Sequence, residues 1–150
     1  MNSPSDLTDH LGYWLRLVSN QVSQNFATRL AAEDVTVAEW VMLRALHGQP
    51  PMAPSRLAEM MGMTRGAITK LADRLIAKDM LLRQSDPADG RAQTLHLTPR
   101  GSRLVPKLAT HADRNDSDFF RALSAAEQKV LRRLLQQLAT HHRISGMATE

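Results

Sequence analysis

The side chains best suited to binding a polyanion lie between residues 64 and 103. This stretch holds 8 lysines and arginines against 4 aspartates, whereas residues 1–63 hold 4 basic against 6 acidic side chains. The whole chain has a formal net charge of +4, which is common among proteins that bind no nucleic acid. The concentration of charge in one stretch is more informative than the total, and it favours a nucleic acid as the partner.

The segment that begins at Thr64 combines two kinds of side chain that can bind DNA. Its first turns offer Thr64, Arg65 and Thr69, which can bond base edges, and an arginine can hold O6 and N7 of guanine with two parallel bonds. Lys70 and Arg74 follow, and we expect them to bind phosphates. Taken alone, this basic helix face could simply be solvated, so its neighbours decide the interpretation.

Arg91 stands at the tip of a predicted hairpin. We expect its side chain to enter the minor groove, whose negative potential is deepest where A/T-rich sequence narrows it. Asp89 is predicted to stabilise the turn or to orient Arg91. Asp73 would repel a phosphate if it were bare, so we predict that it forms an ion pair with Lys70 or Arg74.

Helical periodicity supplies the elements that position these side chains. Over residues 7–30, apolar residues recur at three- and four-residue steps, which predicts one long amphipathic helix. A second helix should begin at Thr36, whose hydroxyl and the Glu39 carboxylate would form a reciprocal capping box. A short third helix runs from Pro54 to Gly62, a residue that suits a left-handed helix end.

The next helix should bury one face and expose the other. Its apolar positions, at helical spacing, are Ile68, Leu71, Ala72, Leu75 and Ile76. Two helices joined by a short turn form a helix-turn-helix. Strands over 80–84 and 93–97 enclose the turn-rich residues 85–91, which predicts a β-hairpin. A helix-turn-helix followed by a hairpin is a winged helix, which can place one helix in the major groove and the hairpin loop in the flanking minor groove.

Two further helices are predicted after the hairpin. Thr98 and Pro99 suit the cap and first position of the fifth helix, and Pro106 predicts a kink or a break within it. A second capping box, Ser124 to Glu127, opens the sixth helix. Its leucine stripe, which could pack within one monomer or against a second copy, comprises Leu131, Leu134, Leu135 and Leu138.

The order and spacing of these pieces resemble the MarR family of bacterial transcription regulators. Residues 55–64 and 68–75 are similar to the family's third and fourth helices. Residues 86–91 resemble its D-x-R wing, and residues 95–101 resemble its L-T-x-x-G helix start. The resemblance covers about Val35 to Gly101 by motif and the rest of the chain by helix layout.

Two positions depart from the family pattern. Asp79 stands where the family usually has glycine between the recognition helix and the first strand. Aspartate tolerates the left-handed conformation better than most residues, so we expect the turn to form. Pro106 is unusual in the fifth helix, and it puts the straightness of that helix in question.

The resemblance implies a mainly α fold with a small β-hairpin wing in a single domain of residues 1–150. A winged helix-turn-helix module over about 35–97 would be flanked by dimerisation helices over 7–30 and 98–140. The implied function is a homodimeric repressor that binds a palindromic operator in double-stranded DNA and is released by a small-molecule effector, often an aromatic acid in this family. The side chains that could line an effector pocket, or belong to the core, are His10, Tyr13, Trp14, Trp40 and His47.

No catalytic residue, resident metal or cofactor is predicted. The chain has no cysteine, and no nucleotide-binding or hydrolase motif occurs in it. Its histidines lack compact ligand spacing, which leaves only the distant pair His47 and His111 as an alternative metal site.

The sequence shows neither a signal peptide nor a membrane span, and a cytoplasmic protein is expected. A winged helix that contacts proteins is the second hypothesis and an enzyme the third, while the operator, its genes and the effector stay open.

Overall fold

The computed structural model describes residues 3–150 as six α-helices and one antiparallel hairpin. A 3-10 turn over Leu7–Asp9 precedes the first helix. The elements are α1 (Leu11–Ala31), α2 (Val37–Leu46), α3 (Pro54–Met61), α4 (Arg65–Ala77), β1 (Leu81–Ser85), β2 (Gln93–Leu97), α5 (Pro99–Phe120) and α6 (Ala125–His141). This arrangement confirms the predicted mainly α fold with a β-hairpin wing.

The first helix is shorter than predicted. It begins at Leu11 because the backbone of His10 is extended. The preceding 3-10 turn has a capping box of its own between Asp6 and Asp9. Along α1 the apolar stripe changes environment: Phe26 packs against the core, whereas Leu11 is 88% exposed. The N-terminal half of α1 therefore carries an apolar face with no partner among residues 3–150.

One core joins the helix-turn-helix to its neighbours. The side chains that α4 buries, Ile68, Leu71, Ala72 and Leu75, are four of the five predicted, and Ile76 is half-buried. They pack with residues from α2, α3, both strands and α5. Because one continuous core surrounds α4, the helix sits in a fixed orientation and presents its opposite face to solvent.

Backbone conformation at two turns matches the sequence. Gly62 ends α3 at φ +66°, and the Met63 N–H bonds Ala58 O while the Gly62 N–H bonds Glu59 O. Asp79 lies at φ +58°, as expected for a residue in the glycine position of this turn. The hairpin that follows pairs Leu81 with Leu97 at its base. Gly62 thus ends α3 shortly before α4 begins, and Asp79 follows the end of α4.

The fifth helix is continuous, so of the two predicted effects of Pro106 the break is wrong and the kink stays a prediction. Thr98 caps it by accepting from the Gly101 N–H, and Pro99 occupies its first turn. Pro106 lies inside the helix, whose remaining hydrogen bonds and buried residues Val105 and Leu108 hold it together. Lack of one N–H is thus tolerated within a well-packed helix.

The sixth helix begins with the predicted capping box between Ser124 and Glu127, with both hydrogen bonds present. The Ser124 N–H bond to its carboxylate lowers the pKa of Glu127. None of the α6 residues is buried. The apolar stripe of α6 is therefore open to solvent in the single chain.

Within residues 3–150, no helix combines the length and apolarity that crossing a bilayer requires.

Candidate DNA interface

Helix α4 starts with a side-chain cap. Thr64 Oγ1 accepts a 3.1 Å bond from the Ala67 N–H, so Arg65 is the first helical residue. The Thr69 hydroxyl donates to Arg65 O at 3.0 Å. Thr64 thus retains a free hydroxyl proton, whereas Thr69 retains lone pairs that can accept. The three predicted base-contacting residues are all exposed and lie at the cap and in the first two turns of α4.

Lys70 and Arg74 lie one turn apart on α4 and are both exposed. Among residues 3–150, neither they nor Arg65 makes an ion pair. Long cationic side chains without an acidic partner can turn towards a phosphate without first breaking a contact. Their positions suit the predicted phosphate contacts.

Asp73 forms an ion pair, but the predicted partner is wrong. Its Oδ1 accepts at 2.8 Å from Nη2 of Arg83, in the middle of β1, rather than from Lys70 or Arg74. Periodicity on a single helix could not identify a partner ten residues away on the wing. The pair connects the recognition helix to the wing and leaves the other cations of α4 free.

The tip of the wing is held by two aspartates. Asp86 Oδ1 accepts from the Ala88 N–H at 2.9 Å, and Asp89 Oδ1 accepts from the Arg91 N–H at 3.1 Å. A main-chain bond from the Asp86 N–H to Ala92 O closes the loop. Of the two roles predicted for Asp89, the observed contact is with backbone, so it shapes the turn. The Arg91 side chain is exposed at this tip.

A compact junction links the end of α4 to the start of α5. The Thr98 hydroxyl donates to Asp79 O at 2.7 Å, and the Thr98 N–H donates to Met80 O at 3.1 Å. Gly101 lies against this turn so closely that a Cβ would stand 2.1 Å from Met80 O. This contact explains why the L-T-x-x-G sequence requires its threonine and glycine, which sequence reasoning treated only as a helix start.

The Glu39 side chain does not complete the predicted capping box. Thr36 accepts from the Glu39 N–H as expected, but the carboxylate is 1% exposed and bonds Lys78 Nζ at 2.8 Å. Lys78 also donates to Asp34 O at 2.6 Å. A buried carboxylate is stabilised more by a charged partner than by a hydrogen bond from a helix N–H. The pair fixes the C-terminal end of α4 to α2, and no local motif could reveal it.

The candidate effector residues separate into two places. His10, Tyr13 and Trp14 lie at the start of α1, where Trp14 Nε1 donates to Thr8 O at 2.9 Å. Trp14 and Phe26 are about 18 Å apart along the helix at 1.5 Å per residue. Since Phe26 contacts Trp40, the first three candidates lie far from the other two.

Trp40 and His47 line one groove beside α2. With Val41, Arg44 and residues of the C-terminal tail, they line an open groove of about 520 Å³. Trp40 packs edge-to-face against Phe26, so one part of its ring belongs to the core and another faces the groove. Arg44 is an exposed cation on the same wall that sequence reasoning did not select. Its position on α2, one turn from Trp40, was the available signal.

Among residues 3–150, no group of three or more potential ligands is arranged for a metal ion. His111 instead lies 3.3 Å from Glu33, whose carboxylate also pairs with Lys107 at 3.1 Å. The bond from Lys107, and to a lesser extent that from His111, lowers the pKa of Glu33, although partial desolvation acts in the opposite direction. The cluster joins the end of α1 to α5.

Known proteins resemble this chain over most of its length. The model of the MarR family matches residues 33–92. A candidate transcriptional regulatory protein for the hcr operon of Thauera aromatica is 32% identical over 133 residues, covering 88% of this chain and 80% of the relative.

Two solved regulators share the fold. The PcaV transcriptional regulator of Streptomyces coelicolor superposes with a TM-score of 0.79 and 28% identity, covering 89% of this chain and 98% of PcaV; it has also been solved with its natural ligand. Bordetella bronchiseptica BpsR, whose DNA binding is regulated by 6-hydroxynicotinic acid, gives a TM-score of 0.79 at 25% identity, covering 91% and 98%. With its winged helix and an exposed basic recognition helix, this chain belongs to the MarR family of DNA-binding transcription regulators.

Proposed function

We propose that this chain is a homodimeric repressor that binds a palindromic operator through α4 and the wing and is released by a small molecule. The observation that supports the DNA contact is that some basic side chains of this module form ion pairs whereas others do not. Lys78 and Arg83 are engaged by Glu39 and Asp73, whereas Arg65, Lys70 and Arg74 remain unpaired within residues 3–150. The two basic side chains that flank this face are therefore held by ion pairs, and those on the outer face of α4 are available.

The proposed contacts divide by chemistry. Arg65 and the threonines at the start of α4 read base edges in the major groove, and Arg91 enters the minor groove. Lys70 and Arg74 bind phosphates, which set register and affinity rather than sequence preference. Asp89 supports Arg91 by holding its backbone N–H.

The proposed dimer follows from apolar surface that the single chain leaves open. Leu11 of α1 and Leu138 of α6 are 88% and 51% exposed, and other large apolar side chains on both helices are exposed with them. Soluble monomers rarely leave contiguous patches of this kind uncovered. A two-fold dimer through α1, α5 and α6 buries them and can set two recognition helices about 34 Å apart, one turn of DNA.

The proposed effector is a small aromatic acid bound beside α2. Trp40 supplies a flat apolar surface and Arg44 a cation for the carboxylate, while His47 closes the same groove. The ligands of PcaV and BpsR support a small-molecule effector by analogy. His10, Tyr13 and Trp14 belong, on their position, with the proposed dimer surface.

Selection of bound fragments from the source genome tests the DNA proposal. The expected result is enrichment of fragments with two inverted half-sites, with affinity that falls as salt rises. The second hypothesis, a winged helix that contacts proteins, predicts no enrichment and no salt-dependent shift of any duplex.

Truncation after Leu123 tests the dimer proposal. Loss of α6 should give a monomeric or poorly soluble protein with much weaker operator binding, since each half-site would be bound alone. Sedimentation decides the outcome, because a soluble dimer with full operator affinity would show that α6 does not hold the assembly together.

A further inference from the structure

The tail after α6 follows a defined path. The Arg143 N–H bonds Thr140 O at 3.2 Å and the Ile144 N–H bonds Ala139 O at 2.9 Å, with Arg143 left-handed at φ +52°. This pair of bonds is a Schellman helix end, and here it operates without the usual glycine. The direction in which the tail leaves α6 is therefore set by the helix end itself.

Two glycines let the tail dock on the helix-turn-helix. Gly146 has φ +95° and approaches Gly62, so that a Cβ on either residue would stand 3.3 Å from the Cα of the other. The Met147 N–H is 3.4 Å from Met61 O. That carbonyl belongs to the last turn of α3, which lacks helical partners. The tail thus contacts the turn that leads directly into α4.

Beyond Gly146, the tail runs along the groove beside α2. Met147 and Ala148 line the part that contains Arg44 and His47. Ala148 and Glu150 line a neighbouring part, formed with Phe26, Trp40 and Asn115. The same segment therefore touches both the α3–α4 turn and the groove proposed to hold an effector.

We propose that residues 145–150 form a strap that covers the Trp40 groove and holds the α3–α4 turn in its DNA-binding conformation. The link to DNA rests on the proposed function, whereas the docking rests on the contacts of the tail. A molecule that needs more of the groove than the docked tail leaves open displaces the strap, and loss of the strap loosens the start of α4. Occupancy of the groove and DNA binding then oppose each other, because each favours a different position of one segment.

Hydrogen exchange in the full chain tests the docking. Gly146→Val introduces a side chain at a left-handed position facing Gly62, and deletion of residues 145–150 removes the strap entirely. Both changes should speed amide exchange over residues 61–65 by about tenfold, because local opening becomes easier. Ile144→Ser is the matched control: this side chain is 69% exposed and precedes the strap. Unchanged exchange in both altered chains would overturn the proposal.

Fluorescence gives an independent readout of the groove. The chain has two tryptophans, so Trp14→Phe leaves Trp40 as the only one. In that background, loss of the strap should raise acrylamide quenching of Trp40 about twofold, while Ile144→Ser should leave it unchanged. Equal quenching with and without the strap would show that the tail does not cover the groove.

A measurement of DNA binding separates this proposal from the proposed function. Gly146→Val leaves the charge unchanged and should weaken binding to a genome-selected duplex several-fold at constant salt. Faster exchange with unchanged affinity would overturn the link between strap and DNA binding. If the unaltered chain binds no duplex, the proposed function fails, and the exchange and quenching results still decide whether the strap docks.

Discussion

Asp73 of the recognition helix and Arg83 of β1 lie 2.8 Å apart and form the ion pair that connects α4 to the wing. Both side chains are partly exposed, so the pair contributes little stability by itself. Its importance is geometric, because it sets the wing against the helix. The roles of the nearby arginines in the proposed DNA interface can be distinguished by mutation.

Replacement of Arg91 by alanine should weaken specific DNA binding by about 1 to 3 kcal/mol, because the exposed side chain would lose its groove contact. The Asp89 bond to the residue 91 N–H survives this change, so the loop should keep its shape. Binding isotherms with a selected duplex measure the effect, and thermal unfolding serves as the control. Operator affinity equal to that of the unaltered chain would eliminate the minor-groove role.

Arg65 and Arg74 should behave differently although they share one helix. Arg65→Ala should reduce the preference for the selected sequence over random DNA, because a base contact is lost. Arg74→Ala should weaken binding to all duplexes and lower the slope of log affinity against log salt by about one unit. Competition with random DNA at several salt concentrations distinguishes them, and a purely sequence-dependent effect of Arg74→Ala would reverse the assignment.

Gly101→Ala should destabilise the fold by about 1 to 3 kcal/mol or more, since the added Cβ would stand 2.1 Å from Met80 O and must displace backbone. The control is Gly66→Ala, because a Cβ there meets nothing within 4 Å on a helix. That change should stabilise by about 0.5 to 1 kcal/mol. Urea unfolding measures both, and similar midpoints for the two variants would contradict the close approach.

Lys78→Met should destabilise the chain by about 3 to 5 kcal/mol, because it leaves the Glu39 carboxylate buried without its cation. Combining it with Glu39→Leu should recover much of this loss, since the buried charge is removed. Lys70→Met, at an exposed position, should change stability by less than about 0.5 kcal/mol. A double-mutant cycle of Lys78→Met and Glu39→Leu, measured by urea unfolding, gives the coupling energy between the two side chains. Additive effects of these two changes would rule the coupling out.

Acid should weaken the contact between α1 and α5. The pKa of Glu33 is lowered in the folded chain, chiefly by its bond to Lys107. Its contribution to stability is therefore complete above the unfolded pKa of about 4.3 and is lost as pH falls through the folded value. Glu33→Gln should be less stable at pH 7 and should lose less stability on acidification. Unfolding midpoints at pH 7, 5 and 3 test this, and parallel pH profiles would exclude the role.

Local signals in the sequence predicted the elements and their ends, because caps and periodicity act over a few residues. Thr36, Ser124 and Thr98 cap helices as expected, and Asp79 adopts the left-handed conformation. The errors arose where distant groups compete for the same side chain. Glu39 bonds a lysine 39 residues away, and Asp73 bonds an arginine on the wing. The candidate effector residues lie in two places on the chain because α1 is too long to bring its start near Trp40, and their contact with an effector stays a prediction.

The unbroken fifth helix forms a long arm. Its 22 residues span about 33 Å at 1.5 Å per residue, from the junction with the recognition helix to the beginning of α6. A rotation of about 5° at one end of such an arm displaces the other by about 3 Å. In the proposed dimer, a small adjustment among the terminal helices would therefore change the spacing of the two recognition helices by an amount comparable to a base-pair step.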